Sequence, residues 1–295
     1  MNTDLNTFFS NKAINKWRLF WLIATPMSIV MIVAMMRVDL STGPGVSSMI
    51  GFSVRWAVPF IFIIVATSSI QALFPGPFSN WLLRNRKYIG LCFAVAMAWQ
   101  GLFISMMSLF FRDYYFGEIY LLRDELEGTV GYIFLTAMVA TSFPFGRKHL
   151  SQKQWKLIHK SSLYFLWAYA FSVYWWNLSY YPNPELTDYI YYWSGFVAFA
   201  LRIVVWSKKR IATAKNVAPE SSASPILQFL GGTIVVAGLA WSVASLYLQE
   251  ATTAFLTAPK WSADLVLWLP YWPFEPYLSL FVMAFGATLL TKTAR

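Results

Sequence analysis

The sequence predicts an all-α polytopic membrane protein with eight spans, arranged as a six-helix bundle and a C-terminal two-helix hairpin. Three observations predict it. Of the 295 residues, 58% are hydrophobic and only 12% are charged, about half the roughly 25% of a soluble domain. The apolar residues fall into runs of about 20, the length needed to cross about 30 Å of hydrocarbon at about 1.5 Å per residue. Lys and Arg collect in alternate connecting segments, as the positive-inside rule requires. A mean hydropathy of +0.50 leaves too few polar residues to cover a soluble two-domain enzyme of this length. The 19% aromatic content, with 15 Trp, 16 Tyr and 25 Phe, suits two interfacial belts.

The spans follow in order. Residues 17–36 form the first apolar run; it is long and no small-residue cleavage site follows it, so it is expected to stay as an anchor. Residues 49–74, 88–111 and 128–145 form the second, third and fourth. Residues 157–176 and 188–206 form the fifth and sixth. The polar, turn-rich stretch 216–225 (NVAPESSASP) reads as a linker. Beyond it, 226–249 and 274–290 form a hairpin. The intervening outer segment carries Trp261, Trp268, Tyr271, Trp272 and Phe274 among four prolines. It reads equally as an aromatic cap along the interface or as a contact surface for another subunit.

With the N-terminus inside, the inner segments hold 17 of the 23 basic residues and the outer segments hold 11 of the 13 acidic ones. An even number of spans then places both termini in the cytoplasm. The net charge of +10 is thereby an inner-face label, and the chain is not read as a nucleic-acid binder. Arg55 and Arg202 lie near span ends and are expected to snorkel toward headgroups. The single Cys92 excludes an intrachain disulfide and any multi-cysteine zinc or iron–sulfur site.

Three stretches carry more specific information. RKYIGLCFAVAMAWQ, residues 86–100, opens the third span. Thr141 and Ser142 close the fourth. WKLIHKSSLYFLWAYAFSVYWW, residues 155–176, makes the fifth. In order and spacing these resemble the ferric reductase-like transmembrane family, over roughly residues 45–210, and are most similar to the haem-binding membrane subunits that serve periplasmic methionine sulfoxide reductases. The resemblance implies a membrane electron-transfer subunit of the bacterial inner membrane, with b-type haem clamped by histidines on the third and fifth helices and with a membrane or periplasmic partner protein. On that pattern the chain divides into a tail and first helix (1–44), a ferric reductase-like core (45–215), the linker (216–225) and the hairpin (226–295).

The family's ligand positions map onto Gln100, His159 and Ser172 here. Only His159 is a histidine. Gln100 lies about 12 residues, or about 18 Å, into its helix and Ser172 about 15 residues into the parallel one, so the two substituted positions are expected at one depth, facing each other. A Gln100–Ser172 hydrogen bond is worth about 0.6–2 kcal/mol, a packing feature and not a redox centre. His159 is either a retained haem ligand or an interfacial histidine beside Lys156 and Lys160. Met97, Met106 and Met107 are read as gap-filling residues rather than axial ligands. His149 lies in the basic loop, away from the ligand positions.

The family's flavocytochrome relatives append a flavin and nicotinamide domain; this chain continues into two more membrane helices. It has no GxGxxG, and Gly231–Gly232 sits inside an apolar run, so no FAD or NAD site is expected. Three functions follow: a redox subunit with one unusually ligated haem b; a redox-inactive structural, assembly or regulatory subunit of a membrane complex; or a binder of quinone, carotenoid or lipid.

Overall fold

The computed structural model describes residues 2–181, 183–217, 224–256 and 277–291. Among them there is no strand. We number the helices α1 (Asn2–Ser10), α2 (Lys16–Met35), α3 (Gly43–Leu73), α4 (Pro77–Phe110), α5 (Leu122–Thr141), α6 (Gln152–Tyr180), α7 (Leu186–Val217), α8 (Pro225–Leu256) and α9 (Leu278–Leu290). A π-helical turn, Tyr115–Ile119, precedes α5, and a single turn, Pro144–Arg147, follows it. Most of the aromatic outer segment and of the linker lies outside the described residues.

Helices α2, α3 and α4, with residues 186–213 of α7 and 225–244 of α8, are long and apolar enough to cross a membrane. The protein is an all-α, multi-pass membrane protein. Helix α5 opens on a run of charged residues, Arg123, Asp124, Glu125 and Glu127, and α6 on Lys153, Lys156, His159 and Lys160, which makes both less apolar than their neighbours.

The helices overrun the apolar stretches that announced them. Helix α4 starts at Pro77, not near Tyr88, so Arg84, Arg86 and Lys87 are helical and not part of a basic loop. The cause is capping: Pro77 occupies the first turn, and the Ser79 hydroxyl accepts from the Gly76 amide at 2.9 Å. A span read from hydropathy stops at the first charge, whereas a helix stops where its end groups find partners. Helix α3 likewise begins at Gly43, capped by Thr42, whose hydroxyl accepts from the Gly45 amide.

The chain forms two compact units, 1–169 and 170–295, with α6 contributing to both. In the first unit α4 is central and packs against α1, α2, α3 and α5. Three residues join α3 to α4, which makes them antiparallel neighbours. Val46 and Met49 of α3 pack with Phe103 and Met107 of α4, and Phe20 and Ala24 of α2 pack with Leu91 and Cys92 of α4.

The second unit is organised by close approach of backbones. A Cβ on Gly231 would lie 2.7 Å from the Gly286 carbonyl oxygen, and one on Gly286 would lie 2.7 Å from that of Gly231. Seven residues along, a Cβ on Gly238 would meet the Ser279 carbonyl at 2.9 Å. Small residues thus face one another at heptad spacing, the packing that membrane helices use where no hydrophobic force separates helix from lipid. Around this hairpin, Tyr192 is buried and donates to the Ser242 carbonyl at 3.2 Å, and the Arg210 Nε donates to Thr291 Oγ1 at 3.0 Å. Buried Asp188 accepts from Asn177 Nδ2 at 2.9 Å and from the Glu185 amide at 2.8 Å.

Candidate functional site

Gln100 and His159, two of the candidate ligand residues, both bond to α5. At its C-terminal end, Thr141 meets the start of α6. Trp155 and His159 are four residues apart and therefore share one face of α6; their rings lie 4.4 Å apart, inclined by 36°. The Trp155 indole donates to the Thr141 carbonyl at 3.1 Å, which satisfies one of the orphan carbonyls at the end of α5. Arg147 lies over the Trp155 ring, its guanidinium carbon 5.4 Å from the centroid, and its own N–H groups donate to the Leu150 carbonyl and to Gln152.

His159 Nε2 lies 2.9 Å from Thr141 Oγ1. The direction of that bond follows from a proton count. A threonine hydroxyl has one proton, and Thr141 directs it to the Ala137 carbonyl at 2.6 Å. Its lone pairs then accept from His159, which assigns the neutral ring as the Nε2–H tautomer. The nitrogen farthest from the backbone is thereby protonated and engaged.

Gln100 is tied to the same helix one face away. Tyr132 Oη lies 3.0 Å from the Met97 carbonyl and 3.0 Å from Gln100 Oε1. The phenol is the donor to both oxygens, which share its one proton. Gly101 allows the approach: a Cβ there would sit 3.4 Å from the Tyr132 oxygen. Helix α5 is therefore held to α4 through Tyr132 and to α6 through Thr141.

Ser172 is half-buried on α6, thirteen residues beyond His159 and in the second unit. Met107 is buried among apolar side chains and Met106 packs against the same cluster. His149 is exposed in the turn after Arg147. Among the described residues, no group of three or more His, Cys, Asp and Glu is placed to hold a metal ion.

A bis-histidine haem does not fit these residues. Axial bis-histidine ligation needs an imidazole on each side of the iron; of Gln100, His159 and Ser172, only His159 carries one. Sequence reasoning missed Tyr132 and Thr141 as partners. Trp155 offered the one available signal, an aromatic residue four positions before the histidine on the same helix. No protein-family model, characterised protein or solved structure matches this chain at a significant level.

Proposed function

We propose that the chain is a redox-inactive structural or assembly subunit of a membrane complex, built on a ferric reductase-like helical scaffold. The observation that carries this reading is the joint use of two ligand positions as ties between helices: His159 donating to Thr141, and Gln100 bonded to Tyr132. Hydrogen bonds of this kind are worth about 0.6–2 kcal/mol in a membrane interior, enough to register helices against one another. The motifs at residues 86–100, 141–142 and 155–176 support the scaffold assignment. The segregation of basic and acidic residues supports eight spans with both termini in the cytoplasm of a bacterial cell.

A reduced-minus-oxidised absorption spectrum of the purified protein tests it. The expected result is no b-type band. A stoichiometric band that disappears in His159→Ala would restore the electron-transfer reading, with His159 as the haem ligand, and overturn ours.

A further inference from the structure

The N-terminal segment builds a pocket in which the ligand positions take no part. Helix α1 is held on α4 by an aromatic trio: Phe9 lies 5.7 Å from both Phe78 and Trp81, and those two stack at 5.9 Å. The turn between α1 and α2 closes on Asn15, whose side chain uses its full hydrogen-bonding capacity. Its Nδ2 donates to the carbonyls of Phe9 at 2.9 Å and Asn11 at 2.7 Å; its Oδ1 accepts from Arg84 Nε at 3.0 Å and Asn85 Nδ2 at 2.9 Å. Asn85 is fully buried, and its Oδ1 accepts from the Lys16 amide at 2.8 Å. That bond helps hold Lys16 at φ 56°, a left-handed conformation that no other described non-glycine residue adopts. Strain of this kind persists only where the surroundings over-determine it, and it collects at ligand clamps.

The result is a cavity of about 490 Å³ whose lining includes Lys12, Asn15, Lys16, Trp17, Arg18 and Arg84. Four of these six are cations, and no carboxylate lines the cavity among the described residues. Arg84 is braced twice, through Nε to Asn15 and through an Nη to the Phe9 carbonyl at 2.6 Å, so its orientation is set before any ligand arrives.

We infer that this pocket binds the phosphate of an anionic phospholipid headgroup. A fixed guanidinium with flexible ammonium groups around it is phosphate-binding chemistry. The lipid source follows from position. Helix α2, which starts at Lys16, is long and apolar enough to cross the membrane, which sets the pocket at the membrane surface. Trp17, Trp21 and Leu22, in its first two turns, are exposed and offer a path for acyl chains beside the headgroup. Juxtamembrane Lys and Arg attract anionic headgroups with about 1 kcal/mol each, so each neutralised charge weakens binding roughly fivefold.

Native mass spectrometry of the full-length protein in mild detergent tests the site, with phosphatidylglycerol, phosphatidylcholine and inorganic phosphate as probes. Wild type is expected to retain phosphatidylglycerol over phosphatidylcholine. Lys12→Gln/Arg18→Gln is expected to weaken it by about 25-fold, with a lipid-free melting temperature no lower than that of wild type. Lys153→Gln/Lys156→Gln removes two charges from the opening turns of α6 and is expected to bind as wild type does. Lys12→Arg/Arg18→Lys keeps both charges and is expected to retain binding even if the neutral variant unfolds. Equal loss in both neutralised variants, no loss in either, or equal retention of the two lipids would overturn the site. Displacement of phosphatidylglycerol by inorganic phosphate at equal concentration would overturn the lipid assignment in favour of a soluble phosphate.

Discussion

His159 and Thr141 are joined at 2.9 Å between the start of α6 and the end of α5, with the histidine as donor and the threonine hydroxyl passing its own proton to Ala137. One side chain at the end of a helix thus closes its own last turn and receives the next helix. Replacing Thr141 by Val keeps the shape and removes the acceptor, at an expected loss of about 1 kcal/mol. A double-mutant cycle of Thr141→Val with His159→Phe, read by unfolding in detergent, should return a coupling of about 0.6–2 kcal/mol. A coupling near zero would strip the contact of its role.

The hairpin offers a steric test. Gly286→Leu places a branched side chain where a single Cβ is already too close to the Gly231 carbonyl, and overpacking of this kind costs about 1–3 kcal/mol. Gly51→Ala, at an α3 position with open space around it, is expected to be neutral or stabilising by up to about 1 kcal/mol. Resistance to unfolding by SDS distinguishes the two; equal effects would mean that the backbones do not pack this tightly.

The connection between α2 and α3 gives a pH test. Asp39 Oδ1 accepts from the Ser41 hydroxyl at 2.6 Å and from its amide at 3.0 Å, and these bonds hold its carboxyl below its ordinary value. A carboxylate depressed in the folded state contributes stability that is present above its unfolded pKa, about 4, and is lost as pH falls through the lower folded value. The melting temperature should therefore drop below about pH 4, and Asp39→Asn should flatten that part of the profile. An unaltered profile in the variant would show that Ser41 does not stabilise the charge.

How much of this was legible depended on whether a signal was local. The apolar runs announced the helices because burial in lipid demands length and hydropathy in consecutive residues. Their true starts, at Gly43 and Pro77, rest on single caps at Thr42 and Ser79, which hydropathy does not weigh. His159 stood out because histidine is scarce here, with only two in the chain. Its acceptor did not, since Thr141 looks like any threonine until α5 and α6 are folded against each other. Tyr132 is one of 16 tyrosines and reaches Gln100 across 32 residues. Asn15 and Asn85 meet across 70, and each alone reads as a polar residue beside a basic stretch. Pairings of this separation leave no periodic trace in one sequence.

The C-terminal hairpin and the N-terminal pocket are held by different forces. Where Gly231 meets Gly286, attraction comes from dispersion between backbones, which neither salt nor proton concentration alters. Around Lys12, Lys16, Arg18 and Arg84, four like charges repel one another, and the balance shifts with every counterion. Raising ionic strength should therefore act on opposite ends of the chain unequally, easing the repulsion at the amino end while leaving the carboxyl-terminal pair untouched. Hydrogen exchange of the two regions across a salt series would be expected to show protection that varies at residues 8–18 and stays constant at 225–240.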